Sequence, residues 1–438
     1  MLTLLAFAMV ATFMTLIMTG RVSALVALIL TPVVFGLLAG HGADLGPIML
    51  DGVKALAPTG VMLAFAILFF GLMTDAGLFD PLVALIVRVV GGDPVKIVVG
   101  SAVLGVLVAL DGDGSTTFLI CCTAMLPLYR RMGLNPLILA CLLMLACGVT
   151  NITPWGGPTA RAASALHLEA ADIFVPMIPS MLAGVVFILL VAWVLGRGER
   201  KRLGVLSSTG ALREPDEDDL VRDLVDDNDR TERPRLILLN LALTLGLLAA
   251  LVMGVLPLPV LFMIATAIAL VLNYPSLAAQ KARIAAHAPN ILPVIALIFA
   301  AGIFTGILNG TGMTQAMADS LTGLIPPVLG PYLAPITALL AMPFTFFISN
   351  DAFYFGILPI LTEAAGTYGI TPVEMARASL TGQAVHLLSP LVPSTYLLVG
   401  LVRVELAQHQ RFTLVWAVAL SLVLLAAGIL TGIIPLAG

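Results

Sequence analysis

Two aspartates, Asp111 and Asp113, stand two residues apart in the run LDGDGSTTF of an otherwise oily chain. Carboxylates in apolar surroundings offer hard oxygens to a cation or carriage to a proton. Gly112 and Gly114 permit tight turns between them. Ser115, Thr116 and Thr117 follow at the start of the next apolar run. Hydroxyls and free N–H groups at a helix start suit a carboxylate. The plainer alternative is an interhelical loop with Asp113 as helix cap.

Three more polar breaks interrupt apolar runs. Residues 148–159, GVTNITPWGGPT, hold two prolines and adjacent glycines that cannot continue a regular helix. Unwound carbonyls there, with Thr150, Asn151 and Thr153, suit a cation or an oxygen-rich solute. Thr159 opens the next half-helix, and Arg161 is a candidate partner for an anionic substrate or a buried aspartate. The run FISNDA (347–352) carries Ser349, Asn350 and Asp351. An aspartate at membrane depth is expensive unless it binds something or is protonated. The last break runs from Gln383 through His386 and Ser389-Pro390 to Ser394 and Thr395. His386 suits either proton carriage or neutral hydrogen bonding. Asp75 closes an apolar run and is either embedded or interfacial.

The elements that must hold these residues are membrane helices. Sixty per cent of residues are apolar, 11% are charged, and mean hydropathy is +1.09. Soluble domains carry roughly 25% charge. Apolar runs near the spanning length of about 20 residues recur throughout, and the short alternating segments of a β-barrel are missing. The fold class is an all-α polytopic membrane protein. The run 1–19 lacks a basic flank and reads as a retained helix, not a cleaved signal. With a net charge of −4 and no basic or acidic tail, nothing suggests nucleic-acid binding. Cys121, Cys122, Cys141 and Cys147 lack metal-ligand spacing and read as packing residues.

A polar stretch over 197–234 divides the chain into similar halves, 1–196 and 235–438, and reads as a linker. Each half holds a re-entrant hairpin (95–128 and 329–363) and a broken helix (134–166 and 371–401). Their order of parts matches. Pro58, Gly71 and Thr74 are echoed by Pro289, Gly302 and Thr305 at identical spacing, and TNITPWGGPT (150–159) is echoed by HLLSPLVPST (386–395). If the hairpins do not cross, all 21 Lys and Arg face the cytoplasm except Lys54, Arg377 and the intramembrane Arg161. The central loop is then cytoplasmic, both termini lie outside, and the two halves are inverted repeats, a layout common in secondary transporters.

Several stretches resemble one known family. They are MLDGVKALAPTGVMLAFAILFFGLMTDAGLFDPL (49–82), LVALDGDGSTT (107–117), NITPWGGPTARAASAL (151–166), FISNDAFYFGILPI (347–360) and GQAVHLLSPLVPSTYLLVG (382–400). They are similar to the citrate–metal/proton symporters (CitMHS) of the ion transporter superfamily. The resemblance implies an elevator-type homodimer in the plasma or inner membrane. It would take up citrate complexed with a divalent, possibly trivalent, metal by proton symport. The metal would be cargo, with no cofactor held permanently. Carried over, the substrate site would comprise Ser115, Thr116, Thr117, Asn151, Thr153, Thr159, Arg161, Ser349, Asn350, Ser394 and Thr395. Asp111, Asp113, Asp351 and His386 would handle metal or proton. Sodium-coupled relatives carry Ser-Asn-Thr at both tips, whereas this chain has Ser-Thr-Thr and Ser-Asn-Asp, which favours protons or metal over sodium. The alternatives are a sodium-coupled di- or tricarboxylate symporter, an oxyanion exporter, a channel, or an intramembrane enzyme. The sequence has neither HExxH nor GxSxG, and an enzyme is not expected.

Overall fold

A computed structural model describes residues 2–19, 21–90, 93–208, 234–322, 326 and 328–438. Most of the linker expected over 197–234 lies outside the described residues. Its beginning is not a loop: the helix entered at Ala170 runs on to Ser208. Polar partners explain the extension. Glu199 accepts the Asn135 N–H and pairs with Arg202, and Arg200 pairs with Asp93.

The described chain is helical. The first half contains α1 (Leu2–Met18), α2 (Ala24–Leu38), α3 (Leu45–Asp75), α4 (Asp80–Val90), α5 (Pro94–Val108), α6 (Gly114–Arg131), α7 (Pro136–Thr150), α8 (Gly157–Leu166) and α9 (Ala170–Ser208). The second contains α10 (Pro234–Val252), α11 (Leu258–Asn273), α12 (Leu277–Gly310), α13 (Met313–Thr322), α14 (Leu333–Phe347), α15 (Leu358–Gly366), α16 (Pro372–Leu380), α17 (Gln383–His386), α18 (Pro393–Val402) and α19 (Leu406–Leu430). A π-helical turn, Ala352–Ile357, leads into α15. Six segments among the described residues are long and apolar enough to cross a membrane. Both hairpins and both broken helices occur in the expected order, so the fold is one of two inverted repeats.

Helix starts follow local chemistry. Asp93 and Asn135 each accept an N–H in the first turn of a helix that opens with proline. Thr371 and Glu374 form a capping box around Pro372. α3 and α12 each begin more than two turns before a proline. Both helices continue through their prolines, Pro58 and Pro289, as membrane helices tolerate.

α3 and α12 form the central seam. A Cβ on Gly52 would lie 2.1 Å from the Gly302 carbonyl oxygen and 2.8 Å from Gly306 Cα. Only glycine allows this backbone contact. α2 and α11 flank the seam, while α5 packs on α7 and α9, and α14 on α16 and α17. Helices α10 and α11 are tied by a reciprocal amide pair, Asn240 to Asn273, at 2.9 Å in both directions.

Candidate functional site

The first hairpin turns at a 3-10 segment, Ala109–Asp111, and at Gly112, whose φ of +82° favours glycine. A side chain there would also strike Trp155, since a Cβ on Gly112 comes 2.7 Å from Cδ1 of that ring. Asp111 is buried and accepts the Asp113 N–H at 2.9 Å. Asp113 caps α6, accepting from the Ser115 N–H at 2.9 Å, the Thr116 N–H at 3.3 Å and the Thr116 hydroxyl at 2.7 Å. The N-terminus of α6, read from sequence as a seat for a cargo carboxylate, is thus held by the chain's own carboxylate. Thr117 donates to the Asp113 carbonyl.

Each broken helix is closed by the same device. Thr159 Oγ1 donates back to the carbonyls of Asn151 and Ile152, and Thr395 Oγ1 donates to the Leu387 carbonyl at 2.6 Å. These threonines hold the unwound segments in shape. Both are buried.

All four breaks converge. Trp155 Nε1–H donates to the Leu110 carbonyl at 2.8 Å, joining the first break to the first tip. His386 Nδ1–H donates to the Thr345 carbonyl at 2.6 Å, and the Ser389 hydroxyl to the Phe346 carbonyl at 2.7 Å, joining the second break to the second hairpin. Arg161 Nε donates to Asp351 Oδ1 at 2.6 Å, crossing from the first break to the second tip. Ser394 Oγ approaches Gly114, crossing from the second break to the first tip. Of the two partners open to Arg161, the aspartate is the one it holds.

Beside this junction lies a cavity of about 630 Å³. One wall comes from α3 and α12, and the other from the first tip, Trp155 and α8. Asp111, Asp113, Ser115, Thr116 and Arg161 face it together. Asp351 stands behind Arg161. Thr117, Asn151, Thr153, Thr159, Ser349, Asn350, Ser394, Thr395 and His386 do not line it. Two polar atoms among them, Thr153 Oγ1 and Asn350 Oδ1, are buried without a hydrogen-bond partner among the described residues. Ser349 Oγ accepts the Ala352 N–H, and Asn350 donates to Gln383, which donates to the Tyr354 hydroxyl.

Sequence reasoning missed three cavity residues: His287, Asn290 and Trp155. His287 Nε2 lies 2.9 Å from Asp75 Oδ2, with Arg283 at 3.4 Å from the same oxygen. The signal was present, since an aspartate at a span's end and a histidine before the Pro289 echo are both unusual in apolar runs. Trp155 packs against Phe70 of α3 and edge-on against Phe262 of α11 at centroid distances of 5.1 and 5.3 Å, linking the first break to the seam helix α3 and to its flanking α11. The four cysteines are buried and unpaired. Among the described residues, no group of three His, Cys, Asp or Glu forms a resident metal centre.

Known proteins match this arrangement. A family model described as CitMHS, citrate transporter, matches residues 13–382. A Bacillus subtilis "Citrate transporter" is 56% identical over 434 residues, covering 99% of this chain and 100% of that protein. A "Mg(2+)/citrate complex secondary transporter" of the same organism is 52% identical, with both chains covered completely. Among solved structures, the Alcanivorax borkumensis YdaH transporter aligns with a TM-score of 0.56 at 17% identity, covering 89% of each chain. Neisseria gonorrhoeae MtrF aligns at 0.60 and 14%, covering 88% of this chain and 83% of its own. At such identities these two speak for the fold alone.

Proposed function

The chain belongs to the CitMHS family of citrate transporters, and from that premise we propose that it carries citrate complexed with a divalent metal in symport with protons. It is a transporter and not an enzyme. The 52% identity to a Mg(2+)/citrate transporter supports magnesium as the first metal to test. Chelation lowers the charge of trianionic citrate to about −1, which reduces the cost of entering a site at bilayer depth.

The observation that carries this proposal is the convergence of four broken elements beside one cavity, with Arg161 in its wall. Arg161, Ser115 and Thr116 meet the carboxylates and hydroxyl of the complex. Thr117, Asn151, Thr153, Thr159, Ser349, Asn350, Ser394 and Thr395 shape the unwound backbone around it. Asp111, Asp113 and Asp351 handle metal or proton, and His386 ties the second break to its hairpin. Two or more protons per complex make the cycle electrogenic, with a driving force of roughly 2.3 kcal/mol per charge per 100 mV.

The hydrogen bonds between tips and breaks suit a body that moves as one. The glycine seam of α3 and α12 suits a fixed wall. Motion of the first against the second is an elevator, and a homodimer of such protomers anchors the fixed walls. With the central loop cytoplasmic and both termini outside, the Asp75 end of the cavity faces the cytoplasm, and we take its mouth to lie there. The chain then divides into repeats 1–196 and 235–438.

The test is uptake of labelled citrate into proteoliposomes under an imposed pH gradient, with a panel of metals and a chelator control. Uptake that needs both metal and gradient is expected. Uptake that ignores metal and needs sodium would place the protein among sodium-coupled carboxylate symporters instead.

A further inference from the structure

The two ends of the α3–α12 seam are built from equivalent positions but differ in chemistry. Pro58 and Pro289 are echoes, and the same offset relates Arg283 to Gly52, His287 to Leu56, Gly71 to Gly302, and Asp75 to Gly306. At one end, Gly52 meets Gly302 and Gly306 backbone to backbone, and Leu56 is buried. At the other, the equivalent positions hold Arg283 and Asp75, 3.4 Å apart, with His287 bonded to the same carboxylate. A Cβ on Gly71 would come within 2.6 Å of the His287 ring, so the glycine that lets backbones touch at one end seats an imidazole at the other. At one end backbone meets backbone; at the other, Asp75 and His287 line the cavity.

We propose that His287, positioned by Asp75, is the acceptor that passes the co-transported proton from the site to the solution at the cavity mouth. This rests on the proton-symport reading above. Asp75 can only accept, so His287 Nε2 carries a hydrogen toward it, and Nδ1 is the nitrogen left to take a proton. The proton leaves a tip carboxyl, Asp111, crosses the cavity through water, and binds Nδ1. The imidazolium, held by the Asp75 carboxylate, then releases the proton to bulk water and returns to the neutral ring. Histidine suits the task because its charge changes within the physiological range. The charged groups around it are Asp75 on α3 and Arg283 on α12, the latter lying over the Tyr274 ring at 5.8 Å. Across the cavity stand Asp111 and Asp113 on the tip and Arg161 on α8, backed by Asp351.

The experiment uses the full chain in proteoliposomes, with magnesium–citrate as probe and a pH dye in the lumen. Exchange of labelled for unlabelled complex needs no net proton release; gradient-driven net uptake does. His287→Gln keeps a donor to Asp75 but carries no proton. It is expected to exchange within about twofold of wild type, and to lose net uptake about tenfold together with its dependence on the pH of the mouth side. Asp75→Asn keeps the ring in place and is expected to move the midpoint of that dependence by about one pH unit. Unchanged mouth-side pH dependence in both variants overturns the proposal. Loss of exchange and net uptake together in His287→Gln, with no shift in Asp75→Asn, also overturns it. A wild type without any gradient dependence instead overturns the symport reading itself.

Discussion

The Arg161–Asp351 pair sets up a competition that can be measured. If Arg161 Nε is the donor that binds a cargo carboxylate, that carboxylate must displace Asp351. The pair is short, 2.6 Å, and its side chains are 23% and 15% exposed. Fully exposed pairs contribute about 0.2–1 kcal/mol, and removing one partner of a buried pair costs about 3–5 kcal/mol. Partial exposure places this pair near 2 kcal/mol, in the range between those limits. Asp351→Asn leaves a hydrogen bond of about 1 kcal/mol in its place. The cargo then displaces a weaker competitor, and binding should tighten by about 1 kcal/mol, or fivefold to tenfold. Arg161→Gln should weaken binding by at least tenfold. The assay is calorimetric titration of magnesium–citrate into detergent-solubilised protein, repeated in buffers of different ionisation enthalpy to count protons. A tenfold weaker affinity in Asp351→Asn would refute the competition and make Asp351 a direct contact of the metal.

Three other outcomes follow from the geometry. Gly52→Ala forces a Cβ to 2.1 Å from the Gly302 carbonyl oxygen, so the seam must open. Thermal unfolding in detergent should show a loss of several degrees, about 1–3 kcal/mol in overpacking terms, while Gly246→Ala, where no atom lies within 4 Å, should not. Trp155→Phe removes the bond to the Leu110 carbonyl but keeps the aromatic contact with Phe70 and Phe262. Transport should fall severalfold with little change in melting temperature, and an unaltered rate would mean the bond does not position the tip. Burial works against the Asp93 carboxylate, but the Arg200 guanidinium and the Val95 N–H outweigh it and hold the group below its ordinary value of 3.8. Its stabilising contribution is therefore present above about pH 4 and is lost as pH falls through the lowered value. The melting temperature of Asp93→Asn should lie below that of wild type at pH 7 and converge with it as pH falls through the lowered value.

Local signals carried much of the fold because bilayer helices report themselves through composition. Apolar runs marked the spans, and the structure opens α5, α7 and α16 at Asp-Pro, Asn-Pro and Thr-Pro pairs. The four breaks were legible for the same reason: proline, glycine and hydroxyl residues stand out against an apolar background. Helix ends were less legible where a distant partner decided them. α9 continues past Gly196 because Asp93 and Asn135, far away in the chain, meet Arg200 and Glu199.

What the sequence by itself determined was the membrane class, the two-fold order of parts and the polar residues of the four breaks. Periodicity, charge placement and spacing are local properties, so they survive without coordinates. Only the tertiary structure decided which of those residues meet. It spends Thr159 and Thr395 on backbone carbonyls, turns Asp113 into a helix cap, and joins Arg161 to Asp351, 190 positions away. It also brought His287 to Asp75 across 212 positions. Pairings of that kind depend on how two repeats fold against each other, and a linear pattern does not encode which buried charge finds which partner.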